Sequence, residues 1–327
     1  LSLRETRSAE DWAQVLHQGQ QQGLSLSVVV KDAALGIAAG VKEVFPGAEQ
    51  RDDCFHVLYE MNKVRRRLEQ SAYKAIRREE ELHAQLKRIP AKQRKRRRRL
   101  RHKIAWAQRR CQQAMERYDD FEAALRQAQE ALECVDLDSG HLRCGEEVKR
   151  MFEQAAQAIA TIDDARCRTL ARYLENRAPG LSLASADLNL RLAQLYTMYP
   201  AQAVVLACMI WRLVSELQAG RSPWQHTEHS CQLLAAFAQL RTLVPSQTDA
   251  LLEVVKFRLD KRHRASSAIE GFNAALRPYL YIHKGCTQGF LELFRAYYNL
   301  RTRRWGPRKG TSAHQCLTGQ PVDDWLT

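Results

Sequence analysis

The fold of this chain is constrained most by a long apolar seam in its first half. Apolar side chains recur in steps of four and three residues from Leu100 to Leu132. More than four such repeats in succession predict one long α-helix with a narrow apolar stripe. A looser seam runs through residues 57–88, and Pro90 separates the two segments. We therefore expect an antiparallel helical hairpin whose apolar stripes face each other.

A block of basic residues lies at the expected tip of this hairpin and just past it. Residues 83–115 contain thirteen Lys and Arg side chains and no Asp or Glu, so nearly all of the net charge of +14 lies in this segment. Such a density of positive charge favours a polyanionic partner, most often nucleic acid. The alternative is a solvated helix tip that repels partners. The predicted DNA contacts are Lys92, Arg94, Lys95, Arg96, Arg97, Arg98, Arg99, Arg101 and Lys103.

Composition excludes several classes of protein. Hydrophobic residues make up 45% of the chain and charged residues 27%, which is typical of a globular protein. The nine cysteines include no C-x-x-C pair, which argues against a disulfide scaffold and against a zinc ribbon. No apolar run approaches the about 18 to 20 residues of a membrane span, and no signal-peptide pattern opens the sequence. We expect an intracellular protein with reduced thiols and no membrane contact.

The first sixty residues follow a different pattern, in which helix, strand, helix and strand alternate. The β-branched run Val28-Val29-Val30 predicts a strand that ends near Asp32, and a second strand over residues 48–52 leads into Asp53 and His56. Carboxylates at strand ends of a mixed sheet converge on one edge, where they can bind Mg²⁺ or Mn²⁺ for phosphodiester chemistry. The local alternative makes Asp32 a helix N-cap and Asp53 a turn residue.

Shorter helices are predicted from residue 140 onward. Breaks between them are expected at the turn-forming positions Pro179-Gly180, Pro200, Gly220 to Pro223 and Pro245. Three tryptophans, in this region and in the hairpin, are predicted to lie in the core, because one of them belongs to an apolar run. The alternative is that these rings stack on an unpaired DNA base. These residues are Trp106, Trp211 and Trp224.

A later amphipathic segment carries a third acidic candidate. Residues 263–282 predict a helix in which Glu270 and Asn273 share one face. Taken alone, this pattern also fits a Glu270 that is simply solvated. The apolar stripe of the helix is predicted to be Ile269, Phe272, Leu276 and Leu280.

Together these segments resemble the prokaryotic DDE transposases, in the broad group that includes Mutator-like and related insertion-sequence enzymes. The stretch SVVVKDAALGIAAGVKEVFPGAEQRDDCFHVLYEMNKV is similar to their second-aspartate region. Asp32 matches the second catalytic aspartate, and Asp53 and His56 match a D-x-x-H pair that precedes a helical insertion. The segment SSAIEGFNAALRPYL resembles their glutamate helix, in which Glu270 and Asn273 match E-x-x-N. The order and spacing of the motifs carry the resemblance.

The resemblance implies an α+β, helix-dominated fold. A partial RNase H-like α/β catalytic core would be interrupted by a large all-α insertion that contains a coiled-coil-like helical hairpin. On this interpretation residues 1–57 form the first part of the core and residues 261–327 the last part. The insertion occupies residues 58–260, and its basic hairpin covers residues 58–134.

The resemblance also implies an activity, which is metal-dependent DNA cleavage and strand transfer by an insertion-sequence transposase. Asp32 and Glu270 would be the catalytic ligands of Mg²⁺ or Mn²⁺, with Asp53, His56 and Asn273 supporting the active site. The implied partners are double-stranded DNA, as transposon ends and target, and further copies of the chain in a homo-oligomer on DNA. The implied location is the cytoplasm of a prokaryote, in association with the nucleoid.

One part of the family pattern has no counterpart in the sequence. These enzymes carry their first catalytic aspartate on an early strand, whereas Asp11, the one aspartate before Asp32, falls in a predicted helix. We therefore expect a C-terminal portion of a transposase that is inactive alone. Two other functions fit the same residues: a non-catalytic nucleic-acid-binding helical protein that uses the basic block, and a coiled-coil assembly protein that dimerises through residues 100–132.

Overall fold

The computed structural model describes residues 6, 8–32, 34–219, 222–262, 267–283, 286–304 and 309–322. The chain divides into two compact units, one combining residues 1–50 with residues 266–327 and the other formed by residues 51–265. We call these the terminal unit and the central unit.

Helices dominate the described residues, as predicted, and the helix-dominated α+β class is confirmed. In chain order, the first elements are α1 (Ala9–Gln21), β1 (Val28–Lys31), α2 (Leu35–Val44), β2 (Glu49–Asp52), α3 (Cys54–Arg88), α4 (Arg94–Ala131), α5 (Gly145–Thr161) and α6 (Ala165–Ala193). A short 3₁₀ helix (Gln194–Thr197) then leads to α7 (Ala201–Gln218), α8 (Pro223–Leu243), α9 (Thr248–Asp260), α10 (Ser267–His283), α11 (Gln288–Leu300) and α12 (Ala313–Thr318).

The first fifty residues fold in the predicted order of helix, strand, helix and strand. Ser8 caps α1 by accepting the backbone N–H of Asp11, which satisfies one of the free donors at the helix start. A side chain at Gly40 would clash with Trp12 of α1, so the glycine permits the close approach of α1 and α2. Strands β1 and β2 are neighbours in a two-stranded parallel sheet.

Helices α10 and α11 of the terminal unit pack through an aromatic cluster. The ring of Phe272 lies 5.0 Å from that of Tyr298 and 5.4 Å from that of Phe294, both edge-on. Leu276 is buried in this cluster. The predicted core position of Ile269 is wrong, because its side chain is 60% exposed. It lies one turn before the part of α10 that packs on α11.

Helices α3 and α4 of the central unit form the expected hairpin. Near its tip, Leu82 of α3 packs against Leu100, Ile104 and Ala107 of α4 in a small core of their own. The seam continues to the other end of α4, where Phe121 and neighbouring small residues are buried against α3, α5 and α6. The 3.5-residue spacing therefore identified the buried stripe of α4 correctly.

A second core of the central unit forms around α7, α8, α9 and the end of α6. Val204, Leu240 and Leu251 are fully buried and pack together in this core. Among the described helices, α7 is long and apolar enough to cross a membrane by length and composition alone. The expectation that no apolar run reaches such a length is thus corrected, although α7 buries its apolar face against α8 and α9.

The predicted break at Pro179-Gly180 is wrong, because α6 continues through both residues. Proline removes one helical N–H, but its carbonyl still accepts a hydrogen bond from the Ser182 hydroxyl at 2.8 Å. Buried residues on both sides, Ala178 and Leu181, hold the helix in the core. The expected breaks before Pro200 and Pro223 and after Leu243 are found.

Two of the three tryptophans predicted to be buried are exposed. Trp106 is 52% exposed and Trp224 is 72% exposed, so the prediction is wrong for both. In the sequence Trp106 lies between the buried positions Ile104 and Ala107, but on α4 it lies on the flank of the buried stripe. Trp211 is partly buried, and its Nε1 donates a hydrogen bond to Asp260 at 3.4 Å.

Candidate nucleic-acid interface and catalytic carboxylates

The basic block surrounds the tip of the α3–α4 hairpin. Eight of its nine predicted DNA contacts are exposed side chains. The exception is Arg97, which is half-buried and donates from Nη1 to the Ile89 carbonyl at 2.6 Å, closing the turn between the helices. Within the described residues, no carboxylate forms an ion pair with any of the nine, so the charges of the eight exposed side chains face solvent uncompensated.

Two shallow grooves between α3 and α4 extend this positive surface away from the tip. Arg88 of α3 lines the first groove with Arg96, Arg99 and Lys103 of α4. Lys74 of α3 lines the second with Arg110 and Arg117 of α4, although Arg117 also pairs with Asp163 at 3.3 Å. The prediction omitted Arg88 and the three basic residues of the second groove.

A signal for the longer surface was present in the sequence. Arg96, Lys103, Arg110 and Arg117 follow one another at intervals of seven residues. Seven residues are close to two turns of helix, so these side chains line up along one side of α4. The dense basic block predicts where the surface lies, and the seven-residue spacing of basic residues predicts how far it extends along α4.

Asp32 lies immediately after β1 and is half-buried. Its Oδ1 accepts the backbone N–H of Ala34 at 3.0 Å, which helps to turn the chain into α2. The preceding residue, Lys31, is buried. The carboxylate is therefore held at the end of a strand, as predicted. The alternative of a helix N-cap is wrong for Asp32, because Ala34 occupies the N-cap position of α2.

Asp53 is buried and caps α3. Its Oδ1 accepts the backbone N–H of Phe55 at 2.8 Å and that of His56 at 3.3 Å, so the carboxylate satisfies two free donors of the helix start. The half-buried ring of His56 lies 6.2 Å from the ring of Tyr59, one turn further along α3. These contacts give Asp53 a structural function whatever its role in catalysis.

Glu270 and Asn273 lie one turn apart on α10, in the same compact unit as Asp32. Asn273 is half-buried, and the side chain of Glu270 lies outside the described residues. In the part of the chain that is described, no group of three His, Cys, Asp or Glu side chains could hold a metal ion. Of the two predicted metal ligands, Asp32 is the one whose carboxylate the structure describes. Its oxygens are of the type that a hard cation binds.

Ion pairs that the sequence did not indicate join the end of β2 to α6. Arg51, only 2% exposed, contacts Asp187 at 3.1 Å, and Asp52 accepts from Arg177 at 2.7 Å. A methyl group at Gly180 would overlap the Asp52 carboxylate, so this glycine leaves room for the second pair. The residues just before the D-x-x-H pair are therefore anchored to α6.

A second ion network joins α4 to α7. Both carboxylate oxygens of Glu130 accept from the buried Arg212, at 2.8 and 2.9 Å, and Arg143 donates to Glu130 and Asp136 at 2.8 and 2.6 Å. Burial acts to raise the pKa of Glu130, but the hydrogen bonds and charges of Arg212 and Arg143 outweigh it and lower that pKa. The carboxylate is thus held ionised.

Comparison with known proteins gives one family match. A family model described as a transposase, that of the ISL3 group of DDE transposases, matches residues 1–184, which is more than half of the chain. The matched part includes β1, β2, the D-x-x-H pair and the whole basic hairpin. No curated protein and no solved structure gives a significant match.

Proposed function

This chain belongs to the ISL3 family of DDE transposases, and we propose that it acts on transposon DNA through its basic hairpin. The observation that carries this proposal is the cluster of exposed basic side chains at the tip of the hairpin, which pair with no carboxylate among the described residues. Lys and Arg side chains that neutralise phosphates displace counterions, which gives affinity without sequence readout. The double-stranded ends of the element are the proposed ligand, and the hairpin is proposed to hold them.

The salt dependence of duplex binding tests this role of the hairpin. Arg98→Gln with Arg99→Gln removes two exposed charges near the tip, whereas Arg166→Gln with Arg172→Gln removes two exposed charges from α6. We expect the negative slope of log K against log salt to become less steep by about 1.8 for the first pair, since each phosphate contact contributes about −0.9. The second pair should leave the slope unchanged. Equal slopes for both variants and the parent chain would contradict the proposal.

We further propose that Asp32 and Glu270 are two carboxylates of a DDE site in an RNase H-like core. Transposases of this family generally use a divalent metal. When bound, Mg²⁺ or Mn²⁺ would supply an activated nucleophile and charge stabilisation for phosphodiester cleavage and strand transfer. Asp32 would supply an oxygen ligand from a position fixed by the Ala34 N–H, and Asp53 would orient His56 by capping α3. Asn273 is proposed to support Glu270 from the next turn of α10.

No residue before Asp32 is proposed as the first aspartate of the site. Asp11 lies in α1, where its backbone N–H is bound by Ser8. We propose that catalysis needs a further carboxylate and that this chain alone does not cleave DNA. Metal binding is therefore a more informative readout of Asp32 than cleavage is.

The variant Asp32→Asn tests whether Asp32 binds a catalytic metal or whether the chain is a non-catalytic DNA-binding protein. The amide oxygen of Asn can still accept the Ala34 N–H, so we expect the fold and duplex affinity to be retained. Binding of Mn²⁺ by calorimetry should weaken at least tenfold, because a charged oxygen ligand is lost. Asp249→Asn, an exposed change on α9, is the control. Unchanged Mn²⁺ binding in Asp32→Asn would favour the non-catalytic function.

A further inference from the structure

Trp106 is the exposed aromatic residue on the basic side of α4. More than half of its surface is exposed, and the guanidinium of Arg110 lies over its ring, 4.7 Å from the ring centre. This cation–π contact holds the guanidinium against the indole ring. Single exposed apolar residues are common on protein surfaces, so exposure alone does not imply a ligand. The basic residues around Trp106 are the feature that implies a ligand.

Basic residues precede and follow Trp106 on the same side of the helix. Arg99, Lys103, Trp106 and Arg110 are separated by four, three and four residues, so they form one row. All four are exposed. At 1.5 Å per residue, Lys103 lies about 4.5 Å before the tryptophan along the helix axis, and Arg110 lies about 6 Å after it. Lys103 lines the groove near the tip, and Arg110 lines the second groove.

An aromatic ring between cationic side chains is the arrangement that binds unpaired nucleic acid. The cations contact successive phosphates while the ring stacks on a base. In a continuous duplex both faces of each base are already covered by its neighbours, so an indole gains such a contact only where a base is unpaired. Trp224, which is also exposed, lies on α8 outside the basic hairpin.

We propose that Trp106 is a base-stacking residue for an unpaired nucleotide of the DNA held by the hairpin. Arg99 and Lys103 on one side, and Arg110 on the other, contact the flanking phosphates. The proposal rests on the proposed function of the hairpin and deepens it. It names the substrate class as DNA that contains an unpaired base next to a duplex segment.

Fluorescence anisotropy with two labelled probes tests the proposal in the full chain. One probe is a continuous duplex, and the other is the same duplex with a short single-stranded thymine gap. Trp106→Ala should weaken binding to the gapped probe about tenfold, within the range for loss of one stacked base, and should leave duplex binding within twofold. Trp106→Phe should recover most of the affinity for the gapped probe, because the ring is retained. Trp224→Ala should change neither affinity.

Three results would overturn the proposal: no effect of Trp106→Ala on the gapped probe, an equal loss on both probes, or an equal effect of Trp224→Ala. An equal loss on both probes together with a smaller oligomer in Trp106→Ala would instead place Trp106 in a contact between copies of the chain. Circular dichroism of each variant checks that α4 remains helical. Failure of the hairpin as a duplex-binding surface is detected separately, by the Arg98→Gln with Arg99→Gln variant.

Discussion

At the scale of single residues, the positions around the D-x-x-H pair combine structural and proposed catalytic roles. Asp53 caps α3, and Asp52 accepts from Arg177 in a space that Gly180 leaves open. Substitutions of Asp52 or Asp53 are therefore expected to lower stability, whether or not these residues take part in catalysis. Stability and function have to be measured separately at each of them.

Asp53→Ala should lower the free energy of unfolding by about 1 kcal/mol, because the N–H groups of Phe55 and His56 lose their acceptor. Asp53→Ser should recover most of that loss, since serine is also a good N-cap. Thermal or urea unfolding measures the difference. If Asp53→Ser were as unstable as Asp53→Ala, the cap would not be the main contribution of Asp53 to stability.

Gly180→Ala should destabilise the protein by about 1–3 kcal/mol, although alanine is the better helix former. The added methyl group would overlap the Asp52 carboxylate and displace it from Arg177. Gly289→Ala on α11, where a methyl group meets nothing within 4 Å, should be neutral or stabilising by up to about 1 kcal/mol. The two variants would be compared by urea denaturation, and equal midpoints would contradict this account.

At the scale of elements, the sequence predicted those helices and strands whose formation depends on residues close together in the chain. The strand Val28–Lys31 and the seam of α4 were predicted because each depends on neighbouring residue types or on a regular repeat. The continuation of α6 through Pro179 was not predicted. Its cause is tertiary, because buried neighbours and the contact with Asp52 favour helix where the local preference favours a turn.

The errors at the tryptophans and at Ile269 have a similar cause. These side chains were predicted to be buried because they are apolar. Whether an apolar side chain is buried depends on the face of the helix on which it lies. Trp106 lies between two seam positions of α4 and points away from both, and Ile269 precedes the contact of α10 with α11. Of the proposed site, the sequence placed Asp32 and Asp53 after their strands. The Arg88 groove and the anchoring of β2 to α6 required the three-dimensional structure.

Glu130→Gln should destabilise the central unit near pH 7 by about 2 kcal/mol, because the buried Arg212 loses its charged acceptor. The pKa of Glu130 is lowered from its usual 4.5, so its contribution is present above about pH 4.5 and is lost as the pH falls through the folded-state pKa. The difference in stability between parent and variant should therefore narrow below pH 4.5. Glu175→Gln, an exposed change on α6, should show no such dependence in thermal unfolding. A constant difference across pH 3–7 would contradict the predicted linkage.

At the scale of the whole molecule, the central unit is one continuous segment with its own cores. Residues 51–265 contain the hairpin, the ion network of Glu130 and both large apolar clusters. The terminal unit is assembled from two segments that are far apart in the chain. The assignment of that unit to an RNase H-like core is part of the proposed function.

We expect residues 51–265 to fold when they are expressed alone. The segment should give a helical circular dichroism spectrum and a single cooperative thermal transition, because its apolar clusters are formed without the terminal unit. It should also retain salt-dependent duplex binding. A segment that binds hydrophobic dyes and melts without a transition would show that its cores depend on the rest of the chain.

The discontinuity of the terminal unit has a consequence during translation. Residues 1–50 are translated before residues 51–265, so the segment from residue 266 onward, which belongs to the same unit, is made only after the whole central unit. At about 5–20 residues per second, that delay is on the order of 10 to 40 s. The apolar faces of α1 and α2 are without the rest of their unit for that interval. We therefore expect residues 1–50 to reach their final fold only after the central unit has been translated.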